Sequence, residues 1–307
     1  MIPAPLKKND WVAFAAPARS ITMEQLKPAI QMLEKQGLNV LIPEGLFEVH
    51  GQMAGTDEHR AALFQKLLDD DNVRAIICVR GGYGTVRIID RLDFSSFIRK
   101  PKWIVGYSDI TVLHSHISRQ CNIPTIHGTM AIDFPLDAGE QDCPSLASLW
   151  PLLRNEHICY NFDNKDIVSV VKNRIGMCTA PIVGGNLSIL YSLLASPSDI
   201  TTDDKILLIE DLDEYLYHID RMMMALKRSG KLSRLKGLIV GAMTKMHDNE
   251  IPFGRTAEEI VRDAVAEYDY PVAYGCPIGH IGADNIALPL GMPVSMQVLD
   301  NKTVVSL

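Results

Sequence analysis

Apolar and polar positions along the first 135 residues predict strands and helices in alternation. Short apolar runs, which are typical of buried strands, occur at Trp11–Ala16, Leu38–Ile42 and Ala75–Val79. Between them, apolar residues recur at the spacing of a helix over Met23–Gln36 and Asp57–Leu68. Strands that alternate with helices of this length favour a parallel, doubly wound sheet.

The chain beyond residue 173 predicts a second α/β region with a different ending. An apolar run at Gly237–Gly241 predicts a strand, and helical spacing recurs over Leu187–Leu194, Tyr215–Ser229 and Thr256–Tyr268. Short strands without intervening helices then close the chain, at Val272, Ile286, Val294 and Val304. This closing pattern favours a mixed or barrel-like sheet.

The length of 307 residues exceeds the usual size of one domain, and we therefore predict two. Residues 1–135 are predicted to form an N-terminal α/β domain with a doubly wound parallel sheet. Residues 174–307 are predicted to form a C-terminal α/β domain with a mixed or barrel-like sheet. Residues 136–173 are richer in Asp, Asn and Pro, and we interpret them as a connector.

The charge balance narrows the range of partners. Acidic residues outnumber basic ones by 37 to 30, which gives a formal net charge of −7. A phosphate-binding surface would need a basic excess, so we expect neither nucleic acid nor a membrane as a partner. The sequence contains no apolar stretch of about 18 residues and no charged N-terminal segment followed by an apolar one. We therefore expect a cytoplasmic protein.

The cysteines and methionines bear on cofactors and assembly. The 6 cysteines are scattered, and none has the spacing of a zinc site, so we expect no metal. Met222, Met223 and Met224 fit a helix surface that is buried or faces another subunit. We interpret these methionines as packing, and we separately expect a homodimer.

One segment has the pattern of a turn that presents a nucleophile. The apolar run Trp103–Val105 ends in Gly-Tyr-Ser-Asp, and the following residues have helical spacing up to Ile117. A serine on such a strand-turn-helix is lifted clear of the sheet, close to the amides that open the helix. Ser108 is therefore a candidate nucleophile, although Ile110 stands where the G-x-S-x-G motif has its last glycine. The alternative is that Ser108 only caps the helix.

A serine nucleophile needs a base and a carboxylate, and the second half of the chain offers both. Glu210 ends the apolar run Ile206–Ile209, and His280 lies in the glycine-flanked loop Gly275–Gly282. The carboxyl ends of strands are where open α/β sheets place their chemistry. Two alternatives stay open: His280 and Glu210 are ordinary surface or capping residues, or Cys276, four residues before His280, is the nucleophile.

Two glycine-rich segments complete the set of candidates. Gly81 and Gly82 follow the strand that ends at Val79, and one of their amides is predicted to form an oxyanion hole with the amide of Asp109. A phosphate loop is one alternative, although the spacing fits no common nucleotide motif, and a simple tight turn is the other. Farther on, Asn186 follows two glycines and opens a predicted helix, where it either binds substrate or caps the helix.

These segments together resemble a known family. In chain order they are Arg80–Gly84, Gly-Tyr-Ser-Asp around Ser108, Gly-Gly-Asn-Leu around Asn186, Leu-Ile-Glu-Asp around Glu210, and His280 before Leu-Pro-Leu-Gly. The same order is found in the LD-carboxypeptidases, serine peptidases whose group also contains the microcin C immunity peptidases. The resemblance implies a Ser108–His280–Glu210 triad and removal of the terminal D-alanine from murein tetrapeptides in the cytoplasm, without metal or cofactor.

The implied murein peptide substrate ends in a free carboxylate, which needs a local cation in an acidic protein. Arg80 is the nearest candidate in the sequence, and a surface salt bridge is its alternative role. Two other functions stay open at this point. One is a microcin C immunity-like peptidase that cleaves an acyl-amide bond in a peptidyl-nucleotide, and the other is a non-catalytic protein that binds small peptides.

Overall fold

The N-terminal half forms the parallel sheet that the sequence predicts. A computed structural model describes residues 1–135, 143–163 and 171–307 of the chain. The first strands lie parallel in the spatial order β5-β4-β3-β1-β2. They are β1 (Trp11–Ala15), β2 (Asn39–Leu41), β3 (Val73–Cys78), β4 (Trp103–Gly106) and β5 (Thr125–His127).

Helices cover both faces of this sheet. They are α1 (Met23–Lys35), α2 (Asp57–Asp69), α3 (Ser95–Arg99) and α4 (Thr111–Gln120). Successive residues of β4 pack into different apolar clusters: Trp103 contributes to one face and Ile104 to the other, and both are fully buried. Burial on two faces explains why these strands are continuous apolar runs rather than alternating ones.

The predicted connector over 136–173 is only partly described by the structure. Its described part contains α5 (Pro144–Leu153) and β6 (Cys159–Asp163), whereas residues 136–142 and 164–170 lie outside the described ranges. The helix begins with a proline in its first turn, where the missing amide proton is not needed.

The C-terminal half continues as a second parallel set of strands. These are β7 (Gly176–Asn186), β8 (Ile206–Leu212), β9 (Gly237–Thr244) and β10 (Val272–Ala273). The helices of this half are α6 (Leu187–Ser192), α7 (Leu216–Arg228) and α8 (Ala257–Ala264). The remaining strands are β11 (Leu288–Leu290), β12 (Pro293–Val298) and β13 (Lys302–Ser306).

A short strand from the end of the chain joins the two halves into one sheet. β11 pairs antiparallel with β5 on one side and parallel with β7 on the other. β12 pairs antiparallel with β7 and β13, and β13 pairs antiparallel with β6. The predicted α/β class with a mixed sheet is confirmed, while the division at residues 135 and 174 stays a prediction. In the described part of the chain, no helix is long and apolar enough to cross a membrane.

Candidate active site

The predicted strand-turn-helix around Ser108 is present. Tyr107 is extended after β4, and Ser108 then takes a φ of 62°, which is uncommon for a residue with a side chain. A single 3₁₀ turn over Ser108–Ile110 leads directly into α4. His114 on α4 donates from Nε2 to the carbonyl of Gly106 at 2.8 Å and so ties the helix to the end of β4. This hydrogen bond joins the helix that follows the turn to the strand that precedes it, and so holds the turn between them.

The structure brings Ser108, His280 and Glu210 together from distant parts of the chain. The Ser108 hydroxyl donates to His280 Nε2 at 3.0 Å, and His280 Nδ1 donates to Glu210 Oε2 at 2.7 Å. The Glu210 side chain is fully buried, and that of His280 is 14% exposed. A carboxylate that fixes an imidazole, which in turn accepts a serine proton, can activate that serine as a nucleophile.

Local backbone features aim Glu210 and His280 at each other. The pairing of β8 with β9 changes register between Ile209 and Asp211, and such an irregularity redirects the side chain at its centre. Gly279, with a φ of 111°, precedes His280, and a Cβ there would lie 2.5 Å from Glu210 Oε2. Only glycine allows the carboxylate to approach the loop this closely.

The pKa values of Glu210 and His280 are shifted in opposite directions, which favours a charged carboxylate beside the imidazole. Burial raises the pKa of Glu210, but His127 and His280 outweigh burial and the pKa falls to about 2. Burial by itself lowers the pKa of His280, but the hydrogen bond and charge of Glu210, with the charges of Asp211 and Asp133, raise it above its ordinary value. Glu210 is therefore ionised at neutral pH.

The glycine loop lies against the serine. A Cβ on Gly81 would be 3.2 Å from Ser108 Oγ and 3.4 Å from the amide nitrogen of Asp109. Among the described residues, the amides of Gly81 and Gly82 donate to no backbone carbonyl. The buried Asp109 carboxylate accepts the amide of Thr85 at 2.9 Å, which fastens the loop to the nucleophile turn.

Arg80 and Asn186 have different surroundings. The half-buried Arg80 donates from Nη1 to the carbonyl of Ser20 at 3.5 Å, a contact at the outer limit of a hydrogen bond. The Asn186 side chain donates to Asp211 Oδ1 at 2.9 Å and accepts the amide of Ile189 at 3.2 Å. Asn186 therefore caps α6, which is one of the two roles that its position in the sequence allows.

Three further residues near this site were not predicted from the sequence. The Tyr107 ring packs edge-on against His280 with centroids 4.9 Å apart, and its hydroxyl donates to Asp133 at 3.0 Å. His127 lies at the end of β5, and its Nε2 is 3.9 Å from Glu210 Oε1. A histidine at a strand end is a recognisable signal, but β5 has only 3 residues and the apolar pattern does not predict it.

The structure gives little support to Cys276 as the nucleophile, and it shows no candidate metal site among the described residues. Cys276 is buried, and burial raises the pKa of its thiol to about 12. Both nitrogens of His280 are already engaged by Glu210 and Ser108. Within residues 1–135, 143–163 and 171–307, no three side chains of the metal-ligating types are grouped to hold an ion.

Comparison with known proteins places this chain in one class, the serine-type carboxypeptidases. The family model of the LD-carboxypeptidase N-terminal domain matches residues 12–128, and that of the LD-carboxypeptidase C-terminal domain matches residues 179–296. The chain belongs to the LD-carboxypeptidase family.

Individual relatives agree with the family match. The chain is 36% identical over 309 aligned residues to the "probable murein peptide carboxypeptidase" of Bacillus subtilis (strain 168), covering 99% of this chain and 93% of that protein. The muramoyltetrapeptide carboxypeptidase from Oxalobacter formigenes superposes with a TM-score of 0.85 at 25% identity, covering 96% and 98% of the two chains. The microcin C7 self immunity protein in complex with aspartyl sulfamoyl adenosine shares the fold, with a TM-score of 0.86 at 20% identity and coverage of 100% and 98%.

Proposed function

We propose that this protein is a serine LD-carboxypeptidase that releases the terminal D-alanine from murein tetrapeptides in the cytoplasm, as part of cell-wall recycling. The observation that carries the proposal is the hydrogen-bonded series from Ser108 through His280 to the buried Glu210. The murein peptide named for the Bacillus subtilis relative supports the substrate class.

In the proposed acylation step, Ser108 Oγ attacks the carbonyl carbon that precedes the terminal D-alanine. Its proton passes to His280 Nε2, and Glu210 stabilises the resulting imidazolium through Nδ1–H. The imidazolium then protonates the amine of D-alanine as the C–N bond breaks. Water, deprotonated by His280, hydrolyses the acyl-enzyme and restores Ser108.

The charge that develops on the carbonyl oxygen needs donors close to Ser108. The amide of Asp109 follows the nucleophile directly, and the amides of Gly81 and Gly82 lie on the loop that faces it. We assign the oxyanion hole to Asp109 together with one of these glycines. Removal of one such donor costs about 3 kcal/mol of transition-state stabilisation in other serine hydrolases.

The leaving residue carries a free carboxylate, and we assign its recognition to Arg80. This residue immediately precedes Gly81, which lies against Ser108. Burial raises the pKa of Asp133, while the hydrogen bond from Tyr107 and the charges of His280 and Arg80 oppose that shift. The guanidinium group can offer a carboxylate two parallel hydrogen bonds.

The test is mass spectrometry of the purified protein after incubation with murein tetrapeptide, tripeptide and pentapeptide, with Ser108→Ala as the control. We expect loss of one alanine from the tetrapeptide alone, and no change with the variant. An unchanged tetrapeptide would contradict the proposal. Cleavage of a peptidyl-nucleotide instead would support an immunity-like peptidase, and binding of the tetrapeptide without cleavage would support a peptide-binding protein.

A further inference from the structure

Three buried polar atoms next to the proposed triad have no partner. His127 Nδ1, His127 Nε2 and Glu210 Oε1 are all shielded from solvent, and none has a hydrogen-bond partner among the described residues. The side chains of His127 and Glu210 are both 0% exposed, and His127 Nε2 lies 3.9 Å from Glu210 Oε1. The unpartnered atoms of the two residues therefore face each other.

Leaving such groups unpaired is costly. A buried donor or acceptor without a partner loses about 1–3 kcal/mol, and more if it is charged. An imidazole always has at least one N–H to donate, and a carboxylate oxygen can only accept. His127 and Glu210 Oε1 thus supply what the other lacks, while Glu210 Oε2 is already bonded to His280.

The other rings around His127 have their polar atoms engaged elsewhere. His114, with its ring 6.5 Å away, donates to the carbonyl of Gly106 and accepts from the hydroxyl of Thr125. Tyr107, with its ring 5.9 Å away, donates its hydroxyl to Asp133. Glu210 is the ionised group left facing His127.

The sheet gives His127 a central position. In register, His127 lies opposite Gly106 of β4 on one side and Leu288 of β11 on the other. β4 leads to the Ser108 turn, and β11 follows the loop that carries His280. A contact from His127 to Glu210 therefore links the strands that hold the nucleophile and the base.

We propose that His127 is a positioning residue that donates its Nε2–H to Glu210 Oε1 and fixes the rotation of the carboxylate, so that Oε2 stays on His280. The inference rests on the proposed function. Forming the bond requires an approach of about 1 Å from the observed 3.9 Å. Hydrogen bonds of this kind are often long in free enzymes and shorten when the substrate binds.

The test compares two variants of equal length, His127→Gln, which keeps a donor, and His127→Met, which does not. The first readout is kcat and KM on the murein tetrapeptide. The second is the rate at which a fluorophosphonate labels Ser108, where Oγ displaces fluoride and its proton passes to His280. We expect His127→Gln to stay within about threefold of wild type, and His127→Met to lose about ten- to a hundredfold in kcat and in labelling rate, with KM unchanged.

A double-mutant cycle separates positioning from mere packing. In a Glu210→Ala background, His127→Met is expected to lower the labelling rate no further, because its partner is gone. Equal rates for the Gln and Met variants, or equal losses with and without Glu210, would overturn the inference while leaving the proposed function intact. Absence of labelling at Ser108 in the wild type would overturn both.

If His127→Met does not fold, which loss of its thermal transition would show, a measurement on the wild type tests the proposal instead. Nitrogen-15 NMR of the histidine rings reports which nitrogen of His127 carries a proton. The proposal requires a proton on Nε2, and an unprotonated Nε2 would overturn it.

Discussion

Ser108 is held in a backbone conformation that costs a residue with a side chain about 1–3 kcal/mol. Its φ of 62° persists because two hydrogen bonds hold the turn. His114 donates to the carbonyl of Gly106, and the Asp109 carboxylate accepts the amide of Thr85. The strain leaves the hydroxyl within 3.0 Å of His280 Nε2 before any substrate binds. Holding a reacting group in this orientation before substrate binds lowers the free-energy barrier of its reaction.

Against the effect of burial, the charge of Glu210 raises the pKa of His280, and this leads to a prediction about pH dependence. In the proposed mechanism neutral His280 is the base, and its pKa is raised, so kcat/KM of the wild type should fall as the pH drops through a value above the ordinary histidine pKa. Glu210→Gln removes the charge that raises this pKa and leaves the burial that lowers it. We expect the acid limb of the pH profile to move to lower pH, with kcat reduced about 10²- to 10⁴-fold.

A pH–rate profile of both proteins on the tetrapeptide checks this expectation. The matched control is Glu214→Gln, since Glu214 also accepts from a histidine, His218, at 2.6 Å, but outside the site. An acid limb that stays in place in Glu210→Gln would show that Glu210 does not act on His280.

Sequence reasoning could select Ser108, Glu210 and His280 as candidates because each stands at the end of an apolar run or between glycines. It could not decide the role of Asn186, since its position suits both substrate binding and helix capping. In the structure the side chain caps α6 by accepting the amide of Ile189, while substrate binding stays a prediction. His127 was missed because its significance depends on a neighbour 3.9 Å away in space but 83 positions away along the chain.

At the scale of elements, the loop Gly275–Gly282 controls the approach of Glu210 to His280. Gly279→Ala would place a Cβ 2.5 Å from Glu210 Oε2, whereas Gly282→Ala, also at positive φ, meets nothing within 4 Å. Both variants should lose about 1–3 kcal/mol of stability from backbone strain. Only Gly279→Ala should also lose about a hundredfold in kcat, because the carboxylate must move away.

Thermal unfolding and steady-state kinetics of the two variants test this prediction. Equal kcat values for Gly279→Ala and Gly282→Ala would mean that the fit of the loop against Glu210 has no bearing on catalysis.

The parallel strands were predictable where apolar runs are uninterrupted, as in β3 and β4. β7 was missed, because Pro181, Gly184 and Gly185 within Gly176–Asn186 are signals of a turn rather than of a strand. A Cβ on Gly185 would meet Thr111 Oγ1 at 2.6 Å, so this glycine serves close packing against α4. The need for glycine at position 185 can be recognised only when the position of Thr111 in the fold is known.

At the scale of the whole molecule, the order of the strands was the least predictable feature. β11 comes from the last 20 residues of the chain and yet lies between β5 and β7. No local pattern encodes that position, because it is set by long-range pairing. By joining the halves, β11 brings the Ser108 turn of one half to Glu210 and the His280 loop of the other.

The net charge of −7 makes local cations important for a substrate that ends in a carboxylate. Arg80→Ala should lower kcat/KM for the free-acid tetrapeptide by about tenfold or more, which corresponds to ~1.4 kcal/mol. With a C-terminally amidated peptide, the variant and the wild type should differ little. Arg91→Ala removes the same charge from an exposed pair with Glu58 and should change neither rate.

Steady-state kinetics with the two peptides check the assignment. Equal losses on acid and amide would show that Arg80 supports the loop rather than the carboxylate.

The most direct measurement of the central claim is D-alanine release from murein tetrapeptide by Ser108→Ala, His280→Ala and the double variant. When two residues act in the same catalytic step, removing the second costs little once the first is gone. Each single change should therefore lower kcat by at least about 10³-fold, and the double variant should be hardly slower. Circular dichroism would confirm that all three proteins are folded. Losses that multiply in the double variant, or a His280→Ala protein with near wild-type kcat, would contradict the claim that Ser108 and His280 work as a unit.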